Sequence, residues 1–190
     1  MSAASFVTYA KQSYGVIISQ EDANKFRDHY FELYPELQDY YIKVDDELWN
    51  YGTQSSVMQR DYIVDIEQYH NKYKHQEMYR AAINFPVQSS ASDYVLCALY
   101  SIMADKKLKG HVKVCGTVHD SIIMLVKRDI DDKVTANKLK YIRDIMQNPP
   151  LAKEYLTINI DIPIVVDIEV GPFGKGVSIK EWLMSEDLPF

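Results

Sequence analysis

The stretch from His111 to Val126, HVKVCGTVHDSIIMLV, constrains this chain more than any other. It holds two β-branched runs, Val112 to Val118 and Ile122 to Val126, separated by His119, Asp120 and Ser121. Apolar runs of this length, broken by a short polar step, read as a hairpin of buried or half-buried strands. The tip of such a hairpin places a carboxylate beside an imidazole on a rigid support, and a metal ligand is useful only on a backbone that does not drift. A solvated turn that contains Asp uses the same residues. The stretch alone leaves both readings open.

A second polar pattern lies upstream. Arg80, Asn84 and Gln88 follow one another at i, i+4 steps, a spacing that stacks three polar side chains on one helical stripe. Pro86 falls among them and predicts a kink or a new helix start, because it cannot donate and disfavours αR before it. From Val87 onward, Ala91, Tyr94, Val95, Ala98, Leu99, Ile102 and Met103 form the buried face of a helix. An Arg-Asn-Gln stripe away from that face reaches phosphates, sugar oxygens and minor-groove acceptors. A solvated helix face is the ordinary alternative.

The rest of the chain supplies helices and one long strand. Phe6, Val7, Ala10 and Tyr14 make a short helical stripe with Gly15 as its stop. Ser19 reads as an N-cap with Asp22 in a capping-box-like position, and the helical spacing after it runs to Pro35, which ends the run or starts a second short helix. From Lys43 to about Tyr62 no period persists, and Gly52 to Ser56 reads as a turn or hairpin tip. Val64 to Ala81 predicts one helix leading into the Arg80 stripe. Beyond the hairpin, Asp131 to Gln147 predicts a helix, Ile158 to Gly171 a strand with Pro163 at an edge or start, and Lys175 to Leu183 a closing helical turn.

Composition excludes several classes. Of 190 residues, 47% are apolar, the fraction of a globular protein with a real core. No run approaches the ~20 apolar residues that span a bilayer, and no basic stretch followed by an apolar one marks export. Cys97 and Cys115 lack metal-ligand spacing and read as reduced core residues of a cytoplasmic protein. The net charge of -6 argues against a free-standing nucleic-acid binder, which carries a basic excess.

Three stretches, taken in order, carry a family resemblance: Phe31 to Pro35, Arg80 to Asp93, and Val118-His119-Asp120. Together they resemble the C-terminal half of the polymerase domain of family-A DNA polymerases, the bacterial polymerase I type, with a bacteriophage source expected. The resemblance runs from about Met1 to about Trp182, close around 6–36, 78–96, 112–126 and 163–174, and weak through 43–75. It implies an α+β fold: a small antiparallel palm sheet with a metal-bearing hairpin, packed against helices, plus helical partial fingers. Residues 1–79 would be partial fingers and connecting region, and 80–190 the palm portion. Asp120 is the implied metal ligand and catalytic carboxylate, with His119 beside it to orient a phosphate. Arg80, Asn84 and Gln88 are the implied DNA-binding residues.

Three positions depart from the family. Ser121 stands where Glu often follows the Asp, Ser89 where glycine is usual, and Arg60 alone represents a hairpin that elsewhere carries several arginines. On the same register the family's other metal carboxylate, and the cations that hold the triphosphate, fall before Met1. Asp167 and Glu169 are poor substitutes, because strand alternation alone explains them. The resemblance therefore implies a split DNA-directed DNA polymerase acting on primer-template DNA and dNTP. Its two-Mg²⁺ site would be completed by an N-terminal polymerase fragment on another chain, and this chain would be inactive alone. The expected place is the cytoplasm, the host's if the source is a phage, with no membrane partner. The alternative is a non-catalytic, polymerase-derived module that binds DNA or protein.

Overall fold

The first two helices begin and end on caps that the sequence supplies. A computed structural model describes residues 2–172 and 174–184. In it α1 spans Ala3–Tyr14 and stops on Gly15 at φ 67°, a left-handed conformation that glycine adopts without steric cost. Helix α2, Gln20–Leu33, starts on Ser19, whose hydroxyl oxygen accepts from the Asp22 amide. Both features were expected.

Helix α3 starts after Pro35, as one reading of that proline allowed, but is longer than expected. It runs Glu36–Tyr51, through the stretch where no period persists in the sequence. Val44 and Leu48, four residues apart, are its buried pair, and the polar residues Lys43, Asp45, Asp46 and Glu47 around them hide so narrow a stripe. Gly52 is thus a helix cap, not a hairpin tip. Its φ is 66°, and a Cβ there would lie 2.8 Å from the Val64 carbonyl oxygen. The tip comes later, between β1, Thr53–Ser55, and β2, Asp61–Ile63.

The single helix expected over Val64 to Ala81 is broken. Helix α4 covers only Ile66–Tyr69, capped by the Asp65 carboxylate. The side chain of Asn71 then accepts from the Tyr73 amide at 3.0 Å, a local bond that competes with the helical ladder. Helix α5 follows over His75–Ala104 and continues through Pro86, so no new helix starts there. Pro86 leaves the Ala82 carbonyl without its helical donor. The next carbonyl, that of Ile83, accepts the Tyr40 hydroxyl at 2.7 Å.

The described chain divides into two compact units, one comprising residues up to Gln54 with Ile63–Ile83, the other Ser55–Tyr62 with residues from Asn84 on. In the first, Val44, Leu48, Tyr69 and Ala82 are almost fully buried, and Tyr69 donates its hydroxyl to Asp45.

In the second unit β3, Val112–Val118, pairs antiparallel with β4, Ser121–Val126, and Val118 lies opposite Ser121. Helix α6, Asp132–Gln147, begins on the Asp131 cap. The short α7, Ala152–Tyr155, follows. Ile102, Leu108, Ile142 and Ile145 form a core against which Val112, Ile122, Met124 and Val126 pack. The register shifts between Val114 and Gly116, so Cys115 is the unpaired residue of a bulge. Cys115 is exposed there, against the expectation of a core cysteine, while Cys97 is buried.

The strand expected over Ile158 to Gly171 is mostly missing. Only β5, Glu169–Val170, pairs, with β6, Val177–Ser178. A strand exists through its ladder, and among the described residues 158–168 find no backbone partner; Pro163 also lacks a donor. The closing helix, α8, is confined to Ile179–Met184 and buries Trp182. Helices with small two-stranded sheets make up the α+β fold that was expected.

Candidate functional site

The β3–β4 register leaves His119 and Asp120 as a two-residue turn. His119 has φ 55°, as tight hairpin turns require of a central residue. Both side chains are exposed. Neither makes a described hydrogen bond or ion pair, whereas the strands beneath them are fixed by the Ile102 and Ile142 core. The arrangement is an uncommitted carboxylate beside an imidazole, on a firm base.

That base is tied at its far end as well. Asp105 accepts the Lys107 amide at 2.6 Å and the Tyr141 hydroxyl at 2.7 Å. The Tyr141 hydroxyl, more than the backbone amides, holds the Asp105 carboxyl below its usual range. The Lys127 amide donates to the His111 carbonyl at 2.7 Å, closing the hairpin.

Arg80, Asn84 and Gln88 are all exposed on α5. Arg80 falls in the first compact unit, Asn84 and Gln88 in the second, and no described hydrogen bond engages their side chains. No described bond joins any of the three to His119 or Asp120. Among the described residues no three His, Cys, Asp or Glu side chains gather as a metal would need.

Sequence reasoning missed the role of Asp93. It is fully buried, at 0% exposure, and both its oxygens are used. Arg60 Nε donates to Oδ1 at 2.6 Å and the Met58 amide to Oδ2 at 3.1 Å. The signal was present: a lone acid within the apolar face of α5, and a single arginine in the 43–62 region. Nothing local links them, because they lie 33 residues apart.

The chain is similar to known proteins along most of its length. The model of DNA polymerase family A matches residues 7–173. DNA polymerase I of Borreliella burgdorferi is 28% identical over 156 residues, covering 81% of this chain and 16% of that protein. The DNA polymerase of Bacillus phage SP01 is 27% identical over 159 residues, covering 83% of this chain and 17% of its own length. The chain thus spans about a sixth of the length of these curated relatives. A solved structure, the POL domain of Pol1 from M. smegmatis in complex with DNA primer-template and dNTP, shares the fold with a TM-score of 0.65. It is 24% identical, and the match covers 86% of this chain and 26% of that one.

Proposed function

The chain belongs to DNA polymerase family A, and from that premise we propose that it is the C-terminal piece of a split DNA-directed DNA polymerase. In this reading it supplies the palm Asp and primer-template contacts for template-directed nucleotidyl transfer in DNA replication. Residues 1–79 serve as partial fingers and connecting region, and 80–190 as palm. The observation that carries the reading is the two-residue turn, which holds Asp120 and His119 uncommitted on packed strands.

Asp120 is the chain's carboxylate for Mg²⁺. When bound at such a site, two Mg²⁺ ions neutralise the transferring and leaving oxygens and activate the primer 3′ oxygen. One carboxylate cannot organise two ions; in this reading an N-terminal polymerase fragment on another chain supplies the other. His119 orients a phosphate of the primer or backbone. Arg80, Asn84 and Gln88 donate to phosphate, sugar and minor-groove acceptors of the primer-template, which fixes its register rather than reading its sequence. The Ser121 hydroxyl takes the place of a second charge beside Asp120 and leaves the site less negative. The net charge of -6 supports a partner that brings the cations for DNA and dNTP. The relative from phage SP01 supports a phage source and hence the host cytoplasm. No helix of the described residues is long and apolar enough to cross a membrane.

The test is to isolate the tagged chain from its native source under mild conditions. The expected result is a co-purifying protein that carries the second carboxylate, with primer extension by the complex. A monomeric chain with no interacting protein would overturn the split-enzyme reading.

A further inference from the structure

Gln88 lies two residues beyond Pro86, where α5 has lost one rung of its hydrogen-bond ladder. Four polar links from the segment 57–60 meet the helix just past this weak point. The Val57 amide donates to Ser90 Oγ at 3.3 Å, and the Arg60 guanidinium donates to the Ser89 carbonyl at 3.0 Å. Arg60 Nε and the Met58 amide take the two oxygens of Asp93 at 2.6 and 3.1 Å. The Tyr62 ring also lies 5.4 Å from that of Phe85.

The segment that makes these links is itself held. The Ser56 amide donates to the Arg60 carbonyl and the Gln59 amide to the Ser56 carbonyl, each at 2.9 Å. Gln59 sits at φ 58°, a conformation that a residue with a side chain keeps only when its surroundings impose it. On the far side the Val57 carbonyl accepts from Thr157 twice, from the amide at 2.8 Å and the hydroxyl at 2.9 Å.

We propose that Arg60 and Asp93 form a strut that fixes the turn of α5 carrying Gln88, making Arg60 a positioning residue for primer-template binding rather than a phosphate contact. The inference rests on the reading of Gln88 as a DNA contact. Charge burial separates the two roles of Arg60. Two of the three guanidinium nitrogens, Nε and Nη2, are committed to Asp93 and the Ser89 carbonyl, and withdrawing them would leave a fully buried carboxylate short of its charged partner. Ser89, where the family usually has glycine, offers its carbonyl to the strut, so this turn is braced from outside.

The test uses the assembled complex of the full chain with its N-terminal fragment and a fluorescently labelled primer-template duplex, with affinity read by anisotropy at low and raised salt. Gln88→Ala should weaken binding about tenfold. Arg60→Lys keeps the charge but cannot fork between carboxylate and carbonyl, and should weaken binding about threefold. Its salt dependence should match that of the unsubstituted chain, because no phosphate contact is lost. The double variant Arg60→Lys/Gln88→Ala should bind no worse than Gln88→Ala alone, since one residue acts through the other. Should Arg60→Lys fail to fold, Ser90→Ala, which removes only the acceptor for the Val57 amide, carries the same comparison with Gln88→Ala. Additive losses, or a salt slope reduced by about one, would overturn the strut. No loss on Gln88→Ala in a complex that binds the duplex would instead sink the DNA-contact reading on which the strut depends.

Discussion

Asp93 and Asp120 lie in the same compact unit, and their surroundings are opposite. Asp93 has no exposed surface, and both its oxygens accept strong donors. Asp120 is exposed at the end of a hairpin, with no described partner. Burying a carboxylate without hydrogen bonds is costly, so the pairing of Asp93 supports the fold. An exposed carboxylate on a turn costs nothing to leave open. The stability of Asp120's position comes from Val112, Ile122, Met124 and Val126 in the core beneath it, not from bonds of its own.

The widest separation between the two should appear in the isolated chain. With primer-template, dNTP and Mg²⁺, the purified 190-residue protein should give no extension product, because Asp120 alone cannot organise two metal ions. Robust Mg²⁺-dependent incorporation would show that a second carboxylate is already present.

Asp93→Ala should act on folding instead. It leaves the Met58 amide without its acceptor and the Arg60 guanidinium with only the Ser89 carbonyl. Because Arg60 is 47% exposed, the loss should be about 2 kcal/mol, below that of a wholly buried pair. Urea unfolding measures it. A change under about 0.5 kcal/mol, the size of an ordinary surface substitution, would mean that Asp93 does not anchor the fold.

Arg80→Ala and Gln88→Ala in the assembled enzyme should each lower extension by about tenfold, with each removing one positioning contact among many. Primer-extension rates decide this, and a total loss from either would mean a role in the chemistry itself.

The smallest effect concerns Asp105, a carboxylate intermediate between the two. Its folded pKa is depressed, chiefly by the Tyr141 hydroxyl. Its contribution to stability is present above the ordinary value of about 3.9 and is lost as pH falls through the lower folded value. Tyr141→Phe should move the Asp105 titration up toward the ordinary value and bring acid unfolding to higher pH. Carboxyl NMR of both forms is the check, and an unmoved Asp105 would contradict the assignment.

What could be read beforehand follows the range of the interactions. The hairpin, the Ser19 cap and the Gly15 stop are local, set by residues within a few positions of one another. The 43–51 part of α3 escaped because only Val44 and Leu48 mark its buried face. Cys115 escaped because a bulge shifts the alternation that placed it inside. The 158–168 segment carries a strand's composition, but a strand needs a partner that composition does not announce. The Arg60–Asp93 pair spans 33 residues, and no periodicity within one element records it. At the candidate site, the turn, its two residues and a rigid hairpin beneath them were legible; the Ile102 and Ile142 core that holds the hairpin was not.

The most direct measurement is primer extension by the assembled complex carrying Asp120→Asn, with primer-template affinity measured alongside. Loss of a metal-binding charge acts on the transition state more than on DNA affinity, so extension should fall by about three or more powers of ten while binding stays within about twofold. Near-normal extension by Asp120→Asn would make the hairpin a structural turn and the chain a binding module.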